Sequence, residues 1–263
     1  MKQFSLVDSG VWFADSGGGY DPPRKRNDGM KLSRYAADYP HMHKPRRTLN
    51  IDCGEGLPYP DDLFECATLL NVGAGAHAGS WTETVRFVDE CELHGVIWGA
   101  HPGYPDREGF GRRPWEEVAQ PSWAEELVKQ AVLMANLGAR YIKPHGAYYN
   151  ETARGISGPT EALVESLRKA DLPLLGLPGT YHERLAEEAE VGFWSEGFAD
   201  RGYGPDGHLL PRDAPRALIE DPQEAAEAAR RLVEQVDSIC LHSDLPGWED
   251  RMRAVRAALD RCP

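Results

Sequence analysis

No apolar run in this chain of 263 residues is long enough to span a bilayer, which removes a transmembrane helix from consideration. The start lacks the unbroken apolar core of a secretory signal, because Asp8, Ser9 and Asp15 interrupt residues 1–16. Cysteine is scarce and unpaired. Cys53, Cys66, Cys91, Cys240 and Cys262 are odd in number and show no CxxC spacing, which argues against a zinc knuckle and against a disulfide framework. Positive charge is also in short supply, with 29 Lys and Arg against 42 Asp and Glu and a formal charge of -13, so neither nucleic acid nor a membrane surface is an expected partner. None of the glycine-rich strings has the spacing and context of a Walker or dinucleotide-binding loop, so glycine alone points to no nucleotide. These absences leave the expectation of a cytoplasmic protein with reduced, mostly buried thiols.

The charge that is present is unevenly placed. Residues 1–47 carry nine Lys or Arg and five Asp or Glu, a charge of +4, and the remainder carries -17. This first stretch contains Gly17 to Gly19, Pro22, Pro23 and Arg24 to Arg26 without apolar periodicity, and it is expected to be a disordered tail. A true start at Met30 or Met42 is the competing explanation. From Thr48 onward short apolar runs alternate with amphipathic stretches, the pattern of a parallel sheet crossed over by helices, and one domain over 48–263 fits the size of a β/α barrel. The pattern predicts seven strands, at 48–52, 69–72, 96–100, 141–143, 174–177, 191–194 and 238–241.

Helix signals agree with that alternation. Ser122 with Glu125 reads as a capping box, Leu127, Ala131 and Met134 share a face, and Gly138 closes the helix. Asp221, Pro222 and Glu224 open another, and Ser80 with Glu83 opens a third that ends at Gly95.

In a β/α barrel the turns after the strands open on one face, so residues just past strand ends meet in one pocket. Those positions hold Asp52 and Glu55, then His77, His101, Lys143 with His145, Glu196 with Asp200, and His242 with Asp244. Four of the nine histidines fall there, where imidazole can bind a metal or move a proton near neutral pH. Any one of them alone is better read as a hydrogen-bonded structural histidine; the clustering is what points to a site. His94, His182, His41 and His43 lack the placement and are expected to be structural or solvent-facing. Arg112, Arg113, Lys143 and Arg201 would suit carboxylate or phosphate groups, although for Arg113 and Arg201 a solvated charge is the simpler reading.

Several strings taken together resemble the LamB/YcsF family. They are LNIDCGEG from Leu49, the segment from Asn71 to Gly79 with His77, GAHPGYPD from Gly99 followed by GFGRR from Gly109, KPHGA from Lys143 with Tyr149 and Asn150, Glu196 through Arg201 with Tyr203, Asp206, Gly207 and Arg212, and Ile239 and Cys240 with His242 and Asp244. They occur in order from about Leu49 to Asp244. The chain departs from the family at Ala74 and Ala76, at Ser80 and Trp81, at Ser243 and Leu245, and in a shorter loop between Glu55 and Asn71, all at the pocket rim.

The resemblance implies a seven-stranded parallel β/α barrel of the glycoside hydrolase and deacetylase type. It also implies ATP-dependent opening of 5-oxoproline to L-glutamate, with this chain as the A-type component of a multi-subunit 5-oxoprolinase that also contains B and C type subunits. On that basis the expected catalytic residues are Asp52, Glu55, His77, His101, His145 and Asp244. His145 or His101 would act as general base, with Asp52, Glu55 and Asp244 orienting water or a divalent ion. Asn50, Asn71, Tyr104, Arg112, Lys143, Tyr149, Glu196, Asp200 and His242 are expected to bind lactam or ATP. A divalent metal has Asp52, His77 and His101 as candidate ligands. Two alternatives stand beside this reading: a metal-dependent amide or acyl-sugar hydrolase acting alone, and a non-catalytic relative that binds a metabolite.

Overall fold

The computed structural model describes residues 47–262 apart from 119 and 121. The tail expected over 1–47 lies outside the described residues except for Arg47, which donates to Glu234 at 2.6 Å and to the Cys262 carbonyl at 3.3 Å. Among the described residues six strands are formed: β1 (Thr48–Cys53), β2 (Leu69–Gly73), β3 (Ile97–His101), β4 (Leu174–Gly176), β5 (Phe193–Phe198) and β6 (Ser238–Leu241). Between and after them lie α1 (Leu63–Cys66), α2 (Trp81–His94), α3 (Trp115–Val118), α4 (Trp123–Leu137), α5 (Gly146–Ala153), α6 (Pro159–Ala170), α7 (Tyr181–Glu188), α8 (Pro222–Leu232) and α9 (Trp248–Leu259).

Every strand pair is parallel, in the order β3-β2-β1-β6-β5-β4. The seventh expected strand is reduced to one residue. Ile142 bridges Ala100 on one edge and Leu174 on the other, and four backbone hydrogen bonds of 2.8–2.9 Å made by Ala100, Ile142, Lys143 and Leu175 N–H groups join the two edges. The segment stops there because Pro144 has no N–H to extend the ladder. The correction is therefore one of strand count, six strands and a bridge in place of seven, within the expected parallel β/α architecture.

Period-two alternation divides each strand between two environments. Leu49, Ile51 and Cys53 of β1, Leu70 and Val72 of β2, and Ile239 and Leu241 of β6 pack outward against the helices in the main core with Leu127, Met134, Leu163 and Met252. Inward residues change character along the barrel. Leu69, Tyr141, Leu175 and Trp194 form an apolar plug at the N-terminal end, and the polar side chains of Asn50, Asn71 and Glu196 lie above it. The plug needs Gly99, because a Cβ there would overlap the Tyr141 ring.

Two of the three expected helix starts hold. The Ser80 hydroxyl accepts from Glu83 N–H and the Asp221 carboxylate from Gln223 and Glu224 N–H. Ser122 makes no cap bond, since its backbone is already helical (φ -89, ψ -6) and its side chain cannot reach the first free N–H groups. The strand predicted at 191–194 also shifts. Glu190 turns into the left-handed region (φ 59), so pairing starts at Phe193 and runs to Phe198, which makes Glu196 a strand residue instead of a turn residue.

Candidate active site at the strand ends

The top of the barrel carries Asp52 from the end of β1, His101 from the end of β3, and Lys143 just after the Ile142 bridge. The loops after β1 and β2 add Glu55 and His77, and His145 opens α5. All six are buried. Two devices hold the loops in register. The Glu83 carboxylate, freed from a reciprocal cap, accepts from Gly56 N–H at 3.0 Å, and Arg107 donates to the carbonyls of Gly75 and Gly79 at 2.8 Å each.

The histidines are oriented by backbone carbonyls. His101 Nδ1–H donates to Lys143 O at 2.8 Å and His145 Nε2–H donates to Phe110 O at 2.9 Å. Each ring is thereby left with one lone pair, on His101 Nε2 and on His145 Nδ1, and these two atoms stand 3.0 Å apart. Glu55 Oε1 lies 3.1 Å from His145 Nδ1 and 3.6 Å from His101 Nε2, and it accepts from His77 Nε2–H at 3.0 Å. Asp52 Oδ2 is 3.5 Å from His101 Nε2. Two nitrogen lone pairs and carboxylate oxygens facing one another repel unless an electrophile, a proton or a metal ion, lies between them.

Burial pushes the His77 imidazole down to about 4 and lowers that of His145, against the attraction of Glu55. Burial would raise both carboxyls. It is outweighed at Asp52 by Lys143 and His101 and at Glu55 by His145 and His77, so both stay below the ordinary carboxylate range. The donor atoms of Glu55, His77, His101 and His145 all fall within 4.8 Å of one another, so this group could hold a metal ion.

Below this centre Lys143 Nζ contacts Asp52 Oδ1 at 2.9 Å, Asn50 Oδ1 at 3.1 Å and Glu196 Oε2 at 3.4 Å. Burial works against its charge, but Asp52 leads the neighbours that keep it above the usual lysine range. Asn50 donates to Ser238 Oγ and Glu196, and Asn71 donates to Asp52 and accepts from the Tyr141 hydroxyl at 2.7 Å. Asn50, Asn71 and Glu196 thus direct their hydrogen bonds to one another and to their buried neighbours, as the floor of the site.

A cavity of about 420 Å³ opens above, reached by Asp52, His101, Lys143, His145, Tyr149 and His242 among the expected residues, and by Arg112 at its rim. His242 is held by Asp200, whose carboxylate takes the His242 backbone N–H at 2.8 Å and its Nδ1–H at 3.1 Å. Burial, which raises the Asp200 carboxyl, is outweighed by His242 and the carboxyl stays low.

Three expectations are displaced. Tyr104 is fully buried in an aromatic cluster with Trp115, Trp123 and Tyr148, its hydroxyl donating to Glu151 at 2.6 Å, and it does not line the cavity. Asp244 is bonded to Arg112 at 2.7 Å and to Arg212 at 3.0 Å, two arginines that line the cavity, and among the described residues it is hydrogen-bonded to no histidine. Arg201 is buried at 4% exposure and not solvated; its Nε and Nη2 donate to the carbonyls of Ala217 and Leu210. Its burial follows from the antiparallel bridges Arg201–Leu218 and Tyr203–Leu209, a fold-back without apolar periodicity to announce it. Arg113 is half exposed and pairs with Asp106.

The sequence model of the LamB/YcsF family matches residues 48–262. A protein from Thermus thermophilus, named as the A subunit of 5-oxoprolinase, is 36% identical over 243 residues, covering 81% of this chain and 95% of that protein. One of the same name from Haemophilus influenzae (strain PittEE) is 35% identical over 224 residues, covering 74% and 88%. Among solved structures, the lactam utilization protein from Thermus thermophilus superimposes with a TM-score of 0.71 at 34% identity, covering 82% of this chain and 96% of that one.

Proposed function

Because the chain belongs to the LamB/YcsF family, we propose that it acts as the A-type subunit of an ATP-dependent 5-oxoprolinase, opening the 5-oxoproline ring to L-glutamate together with subunits of B and C type. The observation that supports this most strongly is the pair of free histidine lone pairs on His101 and His145, fixed by backbone carbonyls and backed by Glu55, at the inner wall of the cavity.

A five-membered lactam is a weak electrophile. Transfer of the ATP γ-phosphoryl group to the amide oxygen, with release of ADP, makes its carbon one; water adds to that carbon, cleavage of the C–N bond frees the amine and leaves an acyl phosphate, and a second water hydrolyses the acyl phosphate to L-glutamate and phosphate. His145 or His101 takes the proton of the water through its free nitrogen, and Glu55 and Asp52 stabilise the imidazolium so formed. Lys143, charged and immobile, holds developing negative charge on oxygen at the inner wall. Tyr149, Arg112 and His242 line the space in which the lactam sits.

The donor set Glu55, His77, His101 and His145, with Asp52 adjacent, also fits a divalent ion, which would supply a Lewis acid to the carbonyl oxygen. The same set favours one competing reading, a metal-dependent amide or acyl-sugar hydrolase that needs neither ATP nor partners.

The test is to co-purify the full chain with the products of adjacent genes and to follow glutamate and ADP. Equimolar glutamate and ADP that require both 5-oxoproline and ATP support the proposal. Hydrolysis of an acylated sugar or amide by the isolated chain, without ATP and abolished by chelation, overturns it in favour of the competing reading.

A further inference from the structure

The outer part of the cavity holds more positive charge than its surroundings neutralise. Arg112, Arg154, Arg201 and Arg212 all line it. Asp244 serves two of them, taking Arg112 Nη2 at 2.7 Å on Oδ2, Arg212 Nη1 at 3.0 Å on Oδ2 and Arg212 Nη2 at 3.3 Å on Oδ1. Arg201 and Arg154 have backbone carbonyls as partners and, among the described residues, no carboxylate within ion-pair distance. Of the acids that line the cavity, Asp52 pairs with Lys143, and Glu151, which accepts from the Tyr104 hydroxyl and Trp115 N–H, brings one negative charge against the four guanidinium groups.

Of the four only Arg201 is buried, and a guanidinium taken out of water without a carboxylate in ion-pair distance is costly; with Arg112 and Arg212 sharing the single carboxylate of Asp244 beside it, the cluster favours an anion. Burial, followed by the proximity of Arg212, pushes Arg201 down to about 10, as expected of a cation crowded by cations. Arg112 is further fixed by its stacking over the Phe110 ring at 4.8 Å, so its fork is presented in one orientation.

We propose that Arg112, Arg201 and Arg212 form an oxyanion seat that takes the carboxylate of a lactam acid, with Asp244 as an internal counter-ion that the ligand displaces. A ligand seated there has its carboxylate at the rim and its ring amide toward His101, His145 and Lys143. The substrate class is then a small cyclic amide bearing a carboxylate, and an uncharged lactam of the same ring lacks the anchoring group. This role for Asp244 differs from orienting water at the histidines. The lactam part rests on the function proposed above, whereas the oxyanion part rests on the arginines alone.

Calorimetric titration of the full chain with L-5-oxoproline, 2-pyrrolidinone and inorganic phosphate, on wild type, Arg212→Gln and Asp244→Asn, tests both parts. The wild type is expected to bind 5-oxoproline at least about tenfold more tightly than 2-pyrrolidinone, Arg212→Gln to lose that preference, and Asp244→Asn to tighten 5-oxoproline severalfold by freeing two guanidinium groups. Equal affinity for the two lactams, unchanged in Arg212→Gln, overturns the seat, as does absence of binding by both 5-oxoproline and phosphate. Arginine-dependent binding of phosphate without 5-oxoproline keeps the seat and removes the lactam acid. Weaker 5-oxoproline binding in Asp244→Asn shows Asp244 to be a scaffold for the arginines and overturns its role as displaceable counter-ion.

Discussion

Lys143 is the residue on which the polar interior depends. Its ammonium is the positive charge shared by Asp52 and Glu196, both buried, so removing it strands two carboxylates in a medium that penalises them. Lys143→Met is expected to destabilise the chain by about 3–5 kcal/mol, measured as a shift of the urea midpoint at pH 7, because an uncompensated buried charge costs about that much. A change below about 1 kcal/mol would mean that water reaches the carboxylates. At this scale the histidines and Lys143 could be placed from the sequence because each falls at the end of an apolar strand pattern. Tyr104 and Arg201 could not. What buries them is an aromatic cluster built from α3, α4 and α5 and a fold-back over 201–218, and neither leaves a local signature.

Among the elements, the turn that carries His77 is fixed by contact with the turn that carries Glu55. Gly79 has φ +62, and a Cβ there would collide with the Gly54 carbonyl oxygen. Gly95, with φ +69 at the end of α2, has open space around its Cβ position. Gly95→Ala is therefore expected to cost about 1 kcal/mol, the strain of a left-handed conformation alone. Gly79→Ala should cost more than about 2 kcal/mol, because the two loop backbones must part. Thermal unfolding of the two variants separates the cases, and equal losses would contradict the loop contact. Capping gives a second contrast: Ser80→Ala is expected to lose about 1 kcal/mol, and Ser122→Ala close to nothing, since Ser122 makes no cap bond. Both serines look alike in sequence, each three residues before a glutamate. The difference lies in the backbone angle at the cap, which tertiary packing sets.

The described residues form a parallel β/α structure in which the ends of β1, β3, β5 and β6 and the segment after Ile142 deliver polar groups to one mouth, and among these residues no helix is long and apolar enough to cross a membrane. Its stability is expected to vary with pH through buried neutral histidines. His182 is fully buried, its Nδ1 accepting from Leu177 N–H and its Nε2 bonded to Thr152, and burial pushes it down to about 3. Between that value and the unfolded value of about 6.5 the unfolded chain binds the extra proton, so this contribution is complete above about 6.5 and is lost as pH falls. Wild type should lose up to about 1.4 kcal/mol per pH unit from this residue between about pH 6.5 and pH 4, and His182→Gln should lack that share of the slope in urea titrations. An identical slope in both proteins would exclude His182 as a source.

The period of the apolar pattern made the barrel legible from sequence, and the turn positions made the mouth legible. Closure through the single residue Ile142, and the division of the interior into apolar plug, amide layer and charged top, depend on the register between strands far apart in the chain.

The central claim is that the reaction takes place where the free nitrogens of His101 and His145 meet Glu55, and the rate of glutamate release from 5-oxoproline by the complex reconstituted with His101→Ala tests it most directly. A loss of about a hundredfold or more in kcat, with the urea midpoint held near that of wild type, is the predicted result. Turnover within about twofold of wild type would contradict the claim.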